Sequence, residues 1–277
     1  MTGDPAAVGS PPVPGDRRGT ALGGLPRTSL PRRDLVAETV LVLLVSLGAS
    51  ALWSLLSLIR KLTEPVALGA QTTTMNNSVT PDRPWLDLAY QLVGVGLGVV
   101  PALLAVHLLT RDDPRARTLI GADRTRLGHN LAAGLGLAAV VGIPGLGLYL
   151  VARALDLNTT IAPANLAGAW WTVPVLCLAA LQNAVLEEVV MVGYLLTRWR
   201  QAGWSMALAI GVSALVRGSY HLYQGFGGFV GNALMGVLFG VVYARTRRVG
   251  PLIVAHAVLD IVAFVGYTLV KSRWTWL

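Results

Sequence analysis

Apolar residues along this chain come in long runs, without the strict alternation of strands or the narrow stripes of water-soluble helices. Seven runs stand out, near 35–59, 84–109, 128–152, 168–197, 204–221, 226–244 and 250–270, and within each a charged residue is the exception. The hydrocarbon core of a bilayer takes about 20 apolar residues of helix, so each run is long enough to span it or nearly so. Lipid offers backbone amides no hydrogen-bond partner, which leaves helix as the conformation for every run. The pattern therefore predicts an all-α fold, a polytopic helical membrane protein with about seven transmembrane helices (seven to eight), the fifth being the least well marked. Residues 1–34 are rich in Pro, Gly and Arg, lack a hydrophobic period and read as a disordered basic cytoplasmic tail. The N-terminal transmembrane helices then occupy 35–167, and a second group of helices occupies 168–277. The first run, about 25 residues, exceeds a signal-peptide core and reads as a retained helix.

Composition supports this. Of 277 residues, 54% are hydrophobic and 13% charged, well under the roughly 25% charged residues of soluble chains, and the mean hydropathy is +0.60. The net charge of +8 would suit nucleic acid, but the cations lie between the runs. Arg17, Arg18, Arg27, Arg32 and Arg33 precede the first; Arg111, Arg115, Arg117, Arg124 and Arg126 fill the second connection; Arg198, Arg200, Arg245, Arg247 and Arg248 sit in the fourth and sixth. By the positive-inside rule the N-terminus and the even-numbered connections are cytoplasmic and the C-terminus is on the far side. The expected partner is thus the lipid bilayer and not nucleic acid. The single Cys177 excludes a disulfide framework. Arg far outnumbering Lys, with abundant Ala and Gly, suggests a bacterial genome rich in GC, and hence a bacterial plasma membrane.

Two features need only a packing explanation. Gly227, Gly231, Asn232, Gly236 and Gly240 place small residues at four-residue spacing, which lets helices approach closely. Pro144 among glycines predicts a kink in the third run.

Ionisable groups inside a span are expensive, and the default reading of one is functional. Here they gather in the last four helices. The fourth run carries Gln182, Asn183, Glu187 and Glu188 in LQNAVLEEVVMVGYLL, the fifth Arg217 and His221 in LVRGSYH, the seventh His256 and Asp260 in IVAHAVLD. Asn183/Glu187, Arg217/His221 and His256/Asp260 are i,i+4 pairs, each on one helix face. At 1.5 Å per residue Glu187 lies roughly 16 Å from the cytoplasmic end, Asp260 roughly 15 Å and His256 roughly 9 Å; His221 comes out at roughly 25 Å, so its helix must tilt or start deeper. Adjacent glutamates point about 100° apart, so at most one faces a substrate directly. A carboxylate in a partly dry site can act as general base, with a histidine sharing the proton or holding a water. Glu187, Glu188, His221, His256 and Asp260 are thus sufficient for hydrolysis without a cofactor. The same groups are possible metal ligands, but the HExxH spacing is missing and no metal is expected. Gln182 and Asn183 read as interhelical hydrogen-bond partners, Arg217 as a counterion to a glutamate, and His107 and His129, which lack such company, as structural or interfacial.

At these residues the chain resembles the CPBP family of intramembrane glutamic endopeptidases, also called the CAAX-protease or Abi family. Its motifs EExxxR, FxxxH and HxxxN or HxxxD fall on Glu187-Glu188, on His221, and on His256 with Asp260, so that 168–277 would be the catalytic core. The resemblance implies that Glu187 activates water with help from His221, that Glu188 supports the site, and that His256 with Asp260 stabilises the oxyanion. Two positions depart: the motif arginine is Val192, and the motif phenylalanine is Arg217. Arg217, one turn from His221, would return the missing positive charge from another helix. An ionised Asp260 would repel an oxyanion, so it must be protonated or must orient His256 by accepting its N–H. The resulting expectation is a metal-independent peptidase acting on a membrane-associated peptide or protein. The competing classes are a non-catalytic immunity, regulatory or scaffold protein of the same fold and a proton-coupled carrier, the latter disfavoured by the lack of recognisable inverted repeats.

Overall fold

The computed structural model describes residues 25–166 and 169–266. All seven apolar runs are helical where described. In chain order come α1 (Arg32–Leu44), α2 (Leu47–Leu62), α3 (Pro84–Asp112), the short α4 (Ala116–Leu119), α5 (Leu127–Ala154) and α6 (Thr172–Glu187). Then α6 passes through a π-helical stretch, Glu188–Tyr194, into α7 (Leu195–Gln201), followed by α8 (Met206–Ser219), α9 (Phe226–Thr246) and α10 (Gly250–Ile261), which ends in a second π-helical stretch, Val262–Gly266. The protein is a polytopic helical membrane protein. Among the described residues, four helices are long and apolar enough to cross a bilayer, and a fifth if α1 and α2 count as one span.

The helices depart from their expected form in three places. The first run is two helices bent by 52°. The break falls at Ser46, whose backbone leaves helical space (φ −143°, ψ −121°) while its hydroxyl bonds the Val42 carbonyl at 2.6 Å; such hydroxyl competition beside Gly48 is a recognised cause of kinks. The predicted kink at Pro144 leaves α5 continuous from Leu127 to Ala154. The fifth run shrinks to α8, 14 residues or about 21 Å of helix, and His221 lies beyond its end on a turn, which removes the depth conflict. Gly225 closes that turn at φ +117°, where a Cβ would meet the Leu157 carbonyl oxygen at 2.5 Å, so only glycine fits. The part of the seventh run beyond residue 266 lies outside the described residues, as do residues 1–24 of the expected tail.

Two short strands were not legible in the sequence. β1 (Thr72–Asn76) and β2 (Thr160–Ala164) pair in parallel, Thr72 opposite Thr160 and Asn76 opposite Ala164, and join the connections after α2 and α5 at one end of the bundle. The cation-rich connections gather at the other end. Residues 25–31 are held there: the Arg27 N–H donates to Asp113 (3.1 Å), the Thr28 hydroxyl to Asp112 (2.9 Å), and the Gln201 amide to the Pro26 carbonyl (2.7 Å). The Arg27 amide, with Arg115, holds the Asp113 carboxyl down at a pKa of about 2.

Arg198, counted above among loop cations, is fully buried. Its guanidinium donates to Glu38 of α1 and Asp112 of α3, both at 2.8 Å, and to the Leu108 carbonyl at 3.0 Å. Two acids from separate helices have drawn it inward, tying α1, α3 and α7 together. Arg198→Ala would leave both carboxylates with only the half-exposed Arg111 as counterion, and since breaking a buried pair costs about 3–5 kcal/mol, thermal unfolding in detergent should show a clear loss of stability; a melting point unchanged from wild type would refute this.

The core is built around the helix from Thr172 to Gln201: 56% of its most apolar window is buried, against 11–28% in the other three long spans. Of the small residues of α9, Gly236 and Gly240 pack on α8, whereas Gly227 and Gly231 face Ala152 and Leu148 of α5. A Cβ on Gly236 would lie 3.0 Å from Ala214 Cα and 3.2 Å from Arg217 Cδ, and one on Gly240 would lie 2.9 Å from Ile210. Gly236→Val should therefore push α8 away and displace Arg217, lowering the melting temperature more than Gly211→Val, whose Cβ would enter open space; equal effects would show that the ladder is not a close-packing device.

Candidate active site

The most buried helix carries the two glutamates at the point where it changes pitch. Glu187 closes α6 and Glu188 opens the π-helical stretch, a local widening that recurs at functional sites. The two side chains differ in access: that of Glu187 keeps 10% of its surface exposed and that of Glu188 none.

Arg217 of α8 reaches both. Its Nη2 bonds Glu187 Oε2 at 3.3 Å and makes a close ion pair with Glu188 Oε1, and its Nε points to the Tyr220 hydroxyl at 3.3 Å. The guanidinium lies over the Phe239 ring of α9, 5.6 Å from its centroid, a favourable cation–π placement. Phe239 is thus held beside a position where the resemblance expects phenylalanine. Val192, where that pattern expects arginine, is buried in the core.

The Tyr220 hydroxyl donates to Glu187 Oε2 at 2.7 Å. The sequence reading missed this residue, although it sits three positions from Arg217 and next to His221. The His221 Nδ1 lies 3.0 Å from the Arg217 carbonyl oxygen. A carbonyl only accepts, so Nδ1 carries a proton, which leaves Nε2 as the lone-pair nitrogen of the neutral ring. The ring lies against Tyr220 at 4.8 Å and stacks with Tyr223 at 6.3 Å.

From α10, His256 Nδ1 meets Glu188 Oε1 at 2.7 Å. Asp260 Oδ2 lies 3.7 Å from His256 Nε2, within reach of charge but too far for a hydrogen bond, so the suggestion that Asp260 orients His256 by accepting its N–H does not match this geometry. The orienting carboxylate is Glu188. Asp260 is 23% exposed in its side chain, with the Asn183 amide of α6 close enough to act on its carboxyl. Gln182 turns away: its amide fills the space beside Gly98 of α3. His107 and His129 are exposed and take no part.

The structure therefore brings Glu187, Glu188, Arg217, His256, Asp260 and Asn183 into one cluster, and both imidazoles lie within electrostatic reach of Glu187. Ligand atoms of Glu187, Glu188 and His256 lie within 4.8 Å of one another, a donor set that suits a divalent cation in type. Arg217 already supplies positive charge to both carboxylates, and a second cation there would be repelled by it. The chemistry open to the cluster is acid–base work on a water or a polar substrate at Glu187, the more accessible of the two acids. Glu188 Oε2 and Arg217 Nη1 are buried without a partner among the described residues.

Comparison with known proteins was made on this basis. Residues 169–262 match the family model described as type II CAAX prenyl endopeptidase, Rce1-like. No curated protein and no solved structure matches the chain. The matched segment holds α6 through α10 and every residue of the cluster, and it is an Rce1-like domain of the CPBP, or CAAX protease, family.

Proposed function

We propose that this protein is an intramembrane endopeptidase in which Glu187 activates a water for attack on a peptide bond, without a covalent intermediate and without a metal. The observation that carries the reading is the division between the two glutamates. Glu188 is sealed and held by Arg217 and His256, whereas Glu187, though buried, keeps a tenth of its side-chain surface exposed and receives a hydrogen bond from Tyr220.

In this mechanism Glu187 takes the proton of the attacking water and later returns it to the leaving amine. His221, protonated on Nδ1, accepts from the same water through Nε2 and orients it. His256, fixed by Glu188, donates to the oxyanion of the tetrahedral intermediate. Asp260 would repel that oxyanion if ionised, so it acts protonated or as a polar contact to substrate. The metal-free assignment rests on Arg217, which occupies the place where a cation would be drawn to the carboxylates.

The substrate class is a membrane-anchored or exported peptide in a bacterial plasma membrane, cleaved near the cytoplasmic leaflet, with the cation-rich end and the N-terminus in the cytoplasm. A second reading has one observation in its favour: Arg217 is ion-paired to both glutamates, as it would be in a scaffold or immunity protein that needs no base. Membrane peptide products from cells carrying wild type or Glu187→Gln separate the two. A product lost in the variant supports catalysis, and identical products support binding.

A further inference from the structure

The turn that carries His221 is held from outside the matched segment. Ser54 and Lys61 stand seven residues apart, two turns along one face of α2, and both are buried. The Tyr223 N–H donates to Ser54 Oγ at 2.6 Å, and Lys61 Nζ donates to the Tyr223 carbonyl at 2.5 Å. One helix face thus grips both backbone groups of the residue whose ring stacks on His221.

The grip continues into the strands. Lys61 also bonds Thr73 Oγ1 of β1, and Thr73 Oγ1 shares a hydrogen bond with Thr159 Oγ1 at 2.7 Å. The Thr159 N–H and hydroxyl both donate to the Gln224 carbonyl, at 2.8 and 3.1 Å. Consecutive carbonyls, those of Tyr223 and Gln224, are therefore fixed by buried donors contributed by α2 and by the residue preceding β2. A buried lysine is costly unless its hydrogen bonds serve a purpose. Here its bonds steady a turn only six residues long, between α8 and α9, whose imidazole is otherwise held by the Arg217 carbonyl and the Tyr220 ring.

The geometry points to Lys61, with Ser54 and Thr73, as positioning residues for His221: a buried polar clamp from the N-terminal half of the chain that sets the imidazole against Glu187. This role rests on the peptidase reading, but its structural content can be read without activity. The chain has four histidines, so full-length protein carrying 15N-labelled histidine, in detergent micelles, gives few imidazole signals, and His221→Gln identifies that of His221.

Wild type should show His221 protonated on Nδ1. Lys61→Met and Ser54→Ala should shift it towards a mixture of tautomers, and peptide cleavage should lose kcat by roughly 10- to 100-fold with KM little changed, as a small displacement of a catalytic group does. Ser54→Ala, the milder change, decides the matter if Lys61→Met fails to fold, and Thr73→Ser, which keeps the hydroxyl, should restore what Thr73→Val removes. An unaltered His221 signal in folded Ser54→Ala protein overturns the clamp. A wild type that cleaves nothing, with variants that show the expected tautomer shift, overturns the peptidase reading and leaves the clamp standing.

Discussion

Glu187→Gln is expected to lower peptide cleavage by on the order of 10²- to 10⁴-fold, the usual contribution of a positioned general base, while leaving the protein folded. The substitution keeps the shape of the side chain, and the amide oxygen can still accept from Tyr220, which now donates to Glu187 Oε2 at 2.7 Å. Arg217 keeps its close ion pair with Glu188, so no buried charge is left alone. Glu188→Gln should behave differently. It removes the negative charge that meets His256 at 2.7 Å and is the closer partner of buried Arg217, so instability should accompany lost activity. The check is product formation from a membrane-anchored peptide beside a melting curve in the same detergent. Full activity in a folded Glu187→Gln protein would remove this residue from the chemistry.

The second large effect is expected at Arg217. Arg217→Phe restores the residue type of the FxxxH pattern yet takes the guanidinium from both glutamates. Breaking a buried ion pair by removing one partner costs about 3–5 kcal/mol, enough to unfold many proteins of ordinary stability. Val192→Arg together with Arg217→Phe should recover part of that loss and part of the activity, because a cation one turn beyond Glu188 on the same helix can reach the same carboxylates. Val192 is buried, so the longer side chain must use space that Arg217 vacates. Equal loss in the single and double variants would show that the positive charge is needed from α8 itself.

Much of this was legible in the sequence because lipid imposes a simple rule. Long apolar runs must be helices, and any ionisable group within them must have a reason to be there. Glu187, Glu188, His256 and Arg217 could be picked out on that ground alone, and i,i+4 spacing placed each pair on one face. Tyr220 could not, since a tyrosine in an apolar run carries no such cost and its hydroxyl becomes informative only when its partner is known. Arg198 was misread as a loop cation because its partners, Glu38 and Asp112, come from helices 160 and 86 residues away in sequence. Lys61 and Ser54 were overlooked for the same reason: their shared partner, Tyr223, lies 162 and 169 residues further along.

Hydrophobic length and intrahelical spacing act locally, and with them the chain by itself determined its helices, its membrane setting and the residues able to do chemistry. Which of the two glutamates keeps some exposure, which helix supplies the positive charge, that Glu188 and not Asp260 hydrogen-bonds His256, and that α2 reaches the turn bearing His221 were decided by tertiary structure. Those outcomes depend on contacts between helices far apart in sequence, where a shift of an ångström makes or breaks a hydrogen bond, and nothing in local periodicity encodes them.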